Sequence, residues 1–292
     1  MNKVNTFKPL IIFITLLLSL QCLAQTDLKP ASQNEINSII VDTVPAPVNY
    51  IQFPVLLKEH TDESMLYIKS FAGRRREYVT SVYKKDKSFS KRITPILKKY
   101  RLPSELRLLV ALESFYNPNA ISHCGAVGYW QIMDETAAEF GLSIITKEER
   151  EKEEKNKNAK KPTTVKKAVV KKDDRKNLSK STYAAARYLR DRCRNLNNDW
   201  LLIVASYNCG VGNVWDAIKK SGKQNASFWD IKHLLPAETR SYVMNFITLN
   251  VLLHNYSLYQ SNDLVFETEP LIKKENISGA QPVAVYKQDC SN

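Results

Sequence analysis

The sequence predicts a mostly α fold, and three observations carry that expectation. Only 8 glycines occur in 292 residues, too few for the many tight turns of an all-β sandwich. Apolar side chains recur at helical spacing from about Asp62 to Tyr259. The segment Leu106, Leu108, Leu109, Val110, Ala111, Leu112 is apolar almost all round, as a helix in the middle of a core must be. The length suffices for one good-sized core or two small domains.

Taken in order, the chain opens with Lys3 and Lys8 ahead of an apolar run, Leu10 to Leu20, too short to span a bilayer comfortably. Cys22-Leu23-Ala24 then places small residues where a signal peptidase reads them, so residues 1–24 read as a signal peptide cleaved after Ala24. An uncleaved anchor and a lipid on Cys22 are the alternatives, although Gln21 fits the latter poorly. Residues 25–60 carry Pro30, Pro45, Pro47 and Pro54 and read as a linker or loosely packed arm. The main domain is expected over residues 61–262, with helices at Ser64–Ser81, Ile93–Tyr100 and Glu105–Tyr116, the last ended by Asn117-Pro118-Asn119. A glycine-bearing loop, Ser122–Gly128, leads to a helix near Asp134–Phe140 that stops at Gly141. Residues 147–176 read as a solvated, charged insertion, partly helical at most. Helices resume at Ser179–Leu196, Trp200–Tyr207, Val214–Lys220 and Pro236–Tyr259. The tail, 263–292, is peripheral, with slight β character at Leu264–Phe266 and Val283–Tyr286.

Net charge is +13, but its placement decides its meaning. The two leading lysines supply +2 and residues 147–176, with 13 Lys/Arg against 7 Asp/Glu, supply +6, which leaves only +5 elsewhere. A nucleic-acid groove is thereby disfavoured, and export disfavours it further; a modest basic balance suits a membrane or cell-wall surface. After loss of Cys22, Cys124, Cys193, Cys209 and Cys290 remain, and their pairing is open. No CxxC spacing occurs and the 4 histidines are scattered, so neither metal nor cofactor is expected.

Glu113 demands an explanation. It shares a stripe with Leu106, Leu109 and Val110 at helical spacing. Burial there, and the negative end of its own helix, both disfavour the ionised carboxylate and favour an acid that donates a proton near neutral pH. A buried glutamate paired with Arg or Lys fits the same spacing, and helix geometry does not choose between the two.

Four motifs do choose. Ala111-Leu112-Glu113-Ser114-Phe115-Tyr116-Asn117-Pro118-Asn119-Ala120 is followed by Gly125-Ala126-Val127-Gly128-Tyr129-Trp130-Gln131-Ile132-Met133, then Ala205-Ser206-Tyr207-Asn208-Cys209-Gly210, then Leu235-Pro236-Ala237-Glu238-Thr239-Arg240-Ser241-Tyr242-Val243. In this order and spacing the chain resembles the soluble lytic transglycosylases, and within them the membrane-bound type D branch, from about Asp62 to Tyr259. The resemblance implies a lysozyme-like helical domain with a deep substrate cleft. It implies cleavage of the β-1,4 bond between N-acetylmuramic acid and N-acetylglucosamine, with Glu113 as acid and then base and a 1,6-anhydro product. A second catalytic carboxylate, which an ordinary glycosidase requires, is then unnecessary.

The same resemblance assigns substrate-site roles to Ser114, Gln131, Met133, Tyr207, Asn208 and Tyr242. For each there is a plainer reading: a backbone bond for Ser114, packing for Gln131, Met133 and Tyr242, a helix cap for Asn208 with Tyr207 packing beside it. Trp130 is expected in the core. Tyr129 stands where an aliphatic residue is commoner, and Asp134, in place of a frequent proline, is expected to cap the following helix. No wall-binding repeat fits the tail. The expected partner is the glycan strand of peptidoglycan and the expected place is the periplasm, with or without the outer membrane. A lysozyme-like hydrolase, with Asp134, Glu135 or Glu139 as the second carboxylate, and a non-catalytic wall-binding protein are the competing readings.

Overall fold

Two hydrophobic helices near the C-terminal end of the domain organise everything else. The computed structural model describes residues 48–158 and 172–267. In chain order the helices are α1 (Thr61–Arg74), α2 (Arg76–Lys99), α3 (Leu109–Ser114), α4 (Asp134–Glu139), α5 (Lys147–Asn158), α6 (Leu178–Asn195), α7 (Trp200–Cys209), α8 (Val211–Ser221), α9 (Phe228–Ile231), α10 (Ala237–His254) and α11 (Tyr256–Ser261). Short 3-10 turns precede α1, α3 and α6 and follow α9. Among the described residues the only β pairing is isolated bridges.

α7 buries every residue from Leu201 to Ser206, and α10 buries nearly every residue from Val243 to Leu252. Neither helix has a polar face of any width, so each must be surrounded. α10 packs on α7 and α1, while α2 packs on α6 and on the 3-10 turn Ser104–Leu108. The helix starts are set by side chains: Asp199 accepts from the Leu201 and Leu202 amides, and Asn177 from the Lys180 amide. Ser227 and Asp230 form a reciprocal capping box on α9, a helix the periodicity did not reveal.

Several boundaries differ from expectation. The arm joins the fold earlier than residue 60: Ile51, Phe53 and Leu57 are buried. Ile51 donates to the Val265 carbonyl and Val265 to that of Asn49, so the weak β character near Leu264 becomes a parallel bridge. The described residues from Asn49 onward accordingly form one contact unit. The first expected helix is interrupted at Arg75, and the second begins at Arg76 and runs through Pro95. The Glu105–Tyr116 segment starts as a 3-10 turn and becomes α-helical only at Leu109. The long terminal helix breaks at Asn255, whose side chain exchanges hydrogen bonds with the Gln52 backbone. Asp134 is the first residue of α4, not its cap, because its carboxylate is used elsewhere.

The charged insertion needs the largest correction. α5 opens it, but at its far end Asp173 is buried and Arg175 is completely so. Arg175 donates to Asp173, to Asp134 and to the carbonyls of Ile132 and Ile145. A charge run read as solvated thus ends in a buried ionic knot. Residues 1–47, 159–171 and 268–292, and with them the expected signal peptide and the Val283–Tyr286 segment, lie outside the described residues.

Candidate active site

α3 is only six residues long and stops abruptly. Phe115 and Tyr116 adopt left-handed backbone conformations (φ 51° and 61°), which non-glycine residues enter at about 1–2 kcal/mol each. The Phe115 amide returns to the Ala111 carbonyl and the Tyr116 amide to that of Val110, closing the helix. Glu113 therefore sits in the last turn, one residue from a sharp reversal. Its neighbours Leu109, Val110 and Ala111 anchor the helix in the core.

The Tyr242 hydroxyl on α10 donates to Glu113 Oε1 at 2.5 Å. Burial of the Glu113 carboxyl pushes its pKa from 4.5 up to about 7; the Tyr242 hydrogen bond opposes the rise and the negative charge of Glu238 adds to it. No cation figures among these influences, so the ion-paired alternative left open by sequence does not describe this site. Burial, with the Glu113 charge behind it, raises Tyr242 and Tyr207 well above 10, so both keep their protons. Tyr207 donates to the Trp130 carbonyl at 2.6 Å and packs edge-on against Tyr188.

A cavity of about 240 Å³ reaches this acid's surroundings at Tyr207. Gln131, Met133, Tyr207 and Asn208 line it, together with Thr136 and Tyr188; Glu113, Ser114 and Tyr242 are not among its lining residues. Tyr207 joins the two halves, since it borders the cavity and feels the Glu113 charge. Asn208 Oδ1 accepts from Thr239 Oγ1 at 2.7 Å, which leaves the side-chain NH₂ as the group offered to a ligand. Gln131 shows the opposite polarity. Its Nε2 donates to the Ala120 and Gly128 carbonyls, which leaves the Oε1 acceptor.

The loop carrying Gln131 is pinned from three sides. Val127 bridges to Ile121 and Ile132. The fully buried Trp130 donates to Thr182 on α6 at 2.9 Å, as a core residue rather than a sugar platform. A Cβ on Gly128 would lie 2.1 Å from the Arg175 carbonyl oxygen, and φ is 83°, so only glycine fits. Ser114 donates to the Val110 carbonyl at 3.2 Å and to that of Tyr129 at 2.8 Å. Its hydroxyl thereby staples α3 to the loop.

Asp134 is removed from candidacy as a second acid by its ion pair with Arg175 and by the Lys147 amide. Glu135 and Glu139 are exposed on α4. Cys124 and Cys209 are free thiols, the first exposed. Among the described residues no three His, Cys, Asp or Glu side chains gather as a metal would need. Arg240 donates to the Leu235 carbonyl, a structural role at the start of α10. Arg175 was missed from sequence because nothing in a Lys-rich run marks one cation as buried.

Fold and site define a class: an α-helical protein in which one unpaired acid, half-protonated near neutral pH, stands beside a cavity offering one amide donor and one amide acceptor. Within that class the matched segment is specific. Residues 93–229 match the family described as Transglycosylase SLT domain. Two relatives, the "Membrane-bound lytic murein transglycosylase D" of Escherichia coli K12 and of E. coli O6:H1 CFT073, are each 31% identical over 188 residues, 64% of this chain and 36% of theirs. The chain thus spans about a third of the length of these curated relatives. Among solved structures, an inactive mutant of the lytic transglycosylase Slt of Pseudomonas aeruginosa is 16% identical, over 79% of this chain and 41% of that one, with a TM-score of 0.42. The 70 kDa soluble lytic transglycosylase of E. coli is 20% identical, over 56% and 24%, with a TM-score of 0.40.

Proposed function

We propose that the protein is a peptidoglycan lytic transglycosylase that cleaves the MurNAc-β-1,4-GlcNAc bond without water. The observation that carries this reading is the Glu113 carboxyl, raised to about 7 by burial, with no cation among the groups that act on it. Glu113 gives its proton to the bridging oxygen as the C1–O bond breaks, and the N-acetylglucosamine end leaves with a hydroxyl. The resulting carboxylate takes the proton from the C6 hydroxyl of the muramic acid, whose oxygen bonds to C1. The acid is restored and a 1,6-anhydro end remains.

In this reading the cavity takes an acetamido group: Asn208 donates to its carbonyl and Gln131 accepts from its N–H, while Met133 covers the sugar face. Tyr242 holds the Glu113 carboxyl and Tyr207 the wall behind it. Ser114 acts one step removed, through the loop. The whole is a lysozyme-like cleft in the cell envelope, reached by export, with the periplasm or outer membrane as its place. Among the described residues no helix is long and apolar enough to cross a membrane. A hydrolase would need a carboxylate opposite Glu113, and Asp134 is committed to Arg175.

Digestion of purified sacculi followed by mass spectrometry of the released muropeptides tests the proposal. Anhydromuramyl ends are expected; ordinary reducing ends would replace it with the hydrolase, and glycan binding without release with the wall-binding protein.

A further inference from the structure

Six residues of helix are too few to hold themselves together in water. α3 is also closed by two consecutive non-glycine residues in left-handed conformation, a state that lasts only where the surroundings impose it. What imposes it comes largely from the middle of α2. Asp86, 6% exposed, takes the single Nε–H of Arg107 between its two carboxylate oxygens, at 3.1 and 3.0 Å, just before α3 begins. The same carboxylate accepts from the Tyr116 hydroxyl at 3.1 Å, just after α3 ends. Arg107 in turn donates to the Ser104 carbonyl, fixing the 3-10 turn that launches the helix. The neighbouring Lys85 donates to the Phe115 carbonyl at 3.0 Å and stands 3.8 Å above its ring. Tyr78 stacks on Phe115 and Phe89 lies tilted against Tyr116, both from α2.

We infer that Asp86 is a positioning residue for Glu113: one carboxylate on a long, packed helix ties down both ends of the short helix that bears the acid, while Lys85 holds the reversal between them. The inference rests on the acid role of Glu113 proposed above. Nothing in the geometry brings Asp86 to the substrate. It acts by keeping the Glu113 side chain under Tyr242, in a shell whose other charged and titratable members are Glu238 on α10 and Tyr207 on α7. Burial and the Asp86 charge both keep Tyr116 protonated, so the tie is not lost in the working pH range.

The test uses Tyr116→Phe and Asp86→Asn in the full chain. Each is expected to lower kcat on glycan by about tenfold with KM unchanged, because the acid is displaced and not the cavity. The pH above which activity disappears should fall from near 7 towards 4.5, since a loosened shell admits water to Glu113. A loss of folded protein alone would lower the rate without moving that pH. Carbon-13 NMR titration of the Glu113 carboxyl should fall in step, and it needs no turnover. A wild type that titrates near 7 yet releases no product overturns the transglycosylase reading, and the titrations of the variants then decide this one. Folded variants with unchanged kcat and unchanged titration overturn the inference. If Asp86→Asn does not fold, Tyr116→Phe, which loses one oxygen atom, decides the matter alone.

Discussion

Two carboxylates in this domain, the half-buried Glu113 and the buried Asp173, are driven in opposite directions. Both are desolvated, which by itself raises a carboxyl pKa. Around Glu113 the hydrogen-bond donor among the described residues is the neutral Tyr242, and Glu238 adds negative charge, so the rise survives, to about 7. Around Asp173 burial also pulls upward, but the hydrogen bonds and charge of Arg175 more than reverse it, and the group is held below 3.8. The lesson is that burial of an acid does not by itself make chemistry. What separates a proton donor from a rivet is whether the shell contains a cation.

The sharpest way to break the comparison is to remove each group in turn. Glu113→Gln should lose about 10²–10⁴-fold in glycan release while remaining folded, measured on sacculi and by circular dichroism. The same variant reports on stability. Folded Glu113 titrates near 7 and the unfolded group near 4.5, so its contribution is full below 4.5 and is lost as pH rises to 7. Replacing it should therefore stabilise the protein by about 3 kcal/mol at pH 8 and by almost nothing at pH 4, read from urea unfolding. Asp173 has the reverse sign: its stabilisation is present above 3.8 and fades as pH falls through its depressed value. Arg175→Met leaves that buried charge with only the longer Arg150 contact at 3.9 Å and should cost about 3 kcal/mol at neutral pH, with a lower thermal midpoint. A loss under about 1 kcal/mol would mean that the knot is wet.

Smaller changes sharpen the picture. Tyr242→Phe removes the bond that lowers the Glu113 pKa, so the alkaline limb of the pH–rate profile should move up from about 7, with a rate loss of roughly tenfold. A downward move would contradict the electrostatics of this shell. Ser114→Ala should cost only about 1 kcal/mol of stability and leave KM unchanged, as a staple and not a sugar ligand. A raised KM with unchanged stability would restore the sugar contact.

The buried acid was legible in the chain because helical spacing placed Glu113 on an apolar stripe. Its tyrosine partner was legible only through a motif, since Tyr242 lies 129 positions away and no local pattern ties it to Glu113. Helix cores read well wherever apolar side chains repeat, as in α6, α7 and α10. Helix ends read poorly where tertiary contacts set them: Phe115 and Tyr116 occupy a conformation their own propensities resist, and α2 extends back to Arg76 across a polar stretch that only its partners make helical. Arg175 and Asp173 were invisible for the same reason, because a buried ion pair looks like any other charge until its neighbours are known.

The hydrogen bonds at the foot of the charged segment have an engineering consequence. Ser143 and Asp174 exchange bonds in both directions, and Ile145 donates to Asp173, so the backbone entering the segment and the backbone leaving it are already latched side by side. Arg150, just beyond that latch, still donates to the Gly125 carbonyl, so a foreign peptide exchanged for residues further along is expected to leave Gly128 on the Arg175 carbonyl and Gln131 in place. An affinity handle or fluorescent reporter grafted there is expected to leave the shell around Glu113 and Tyr242 undisturbed.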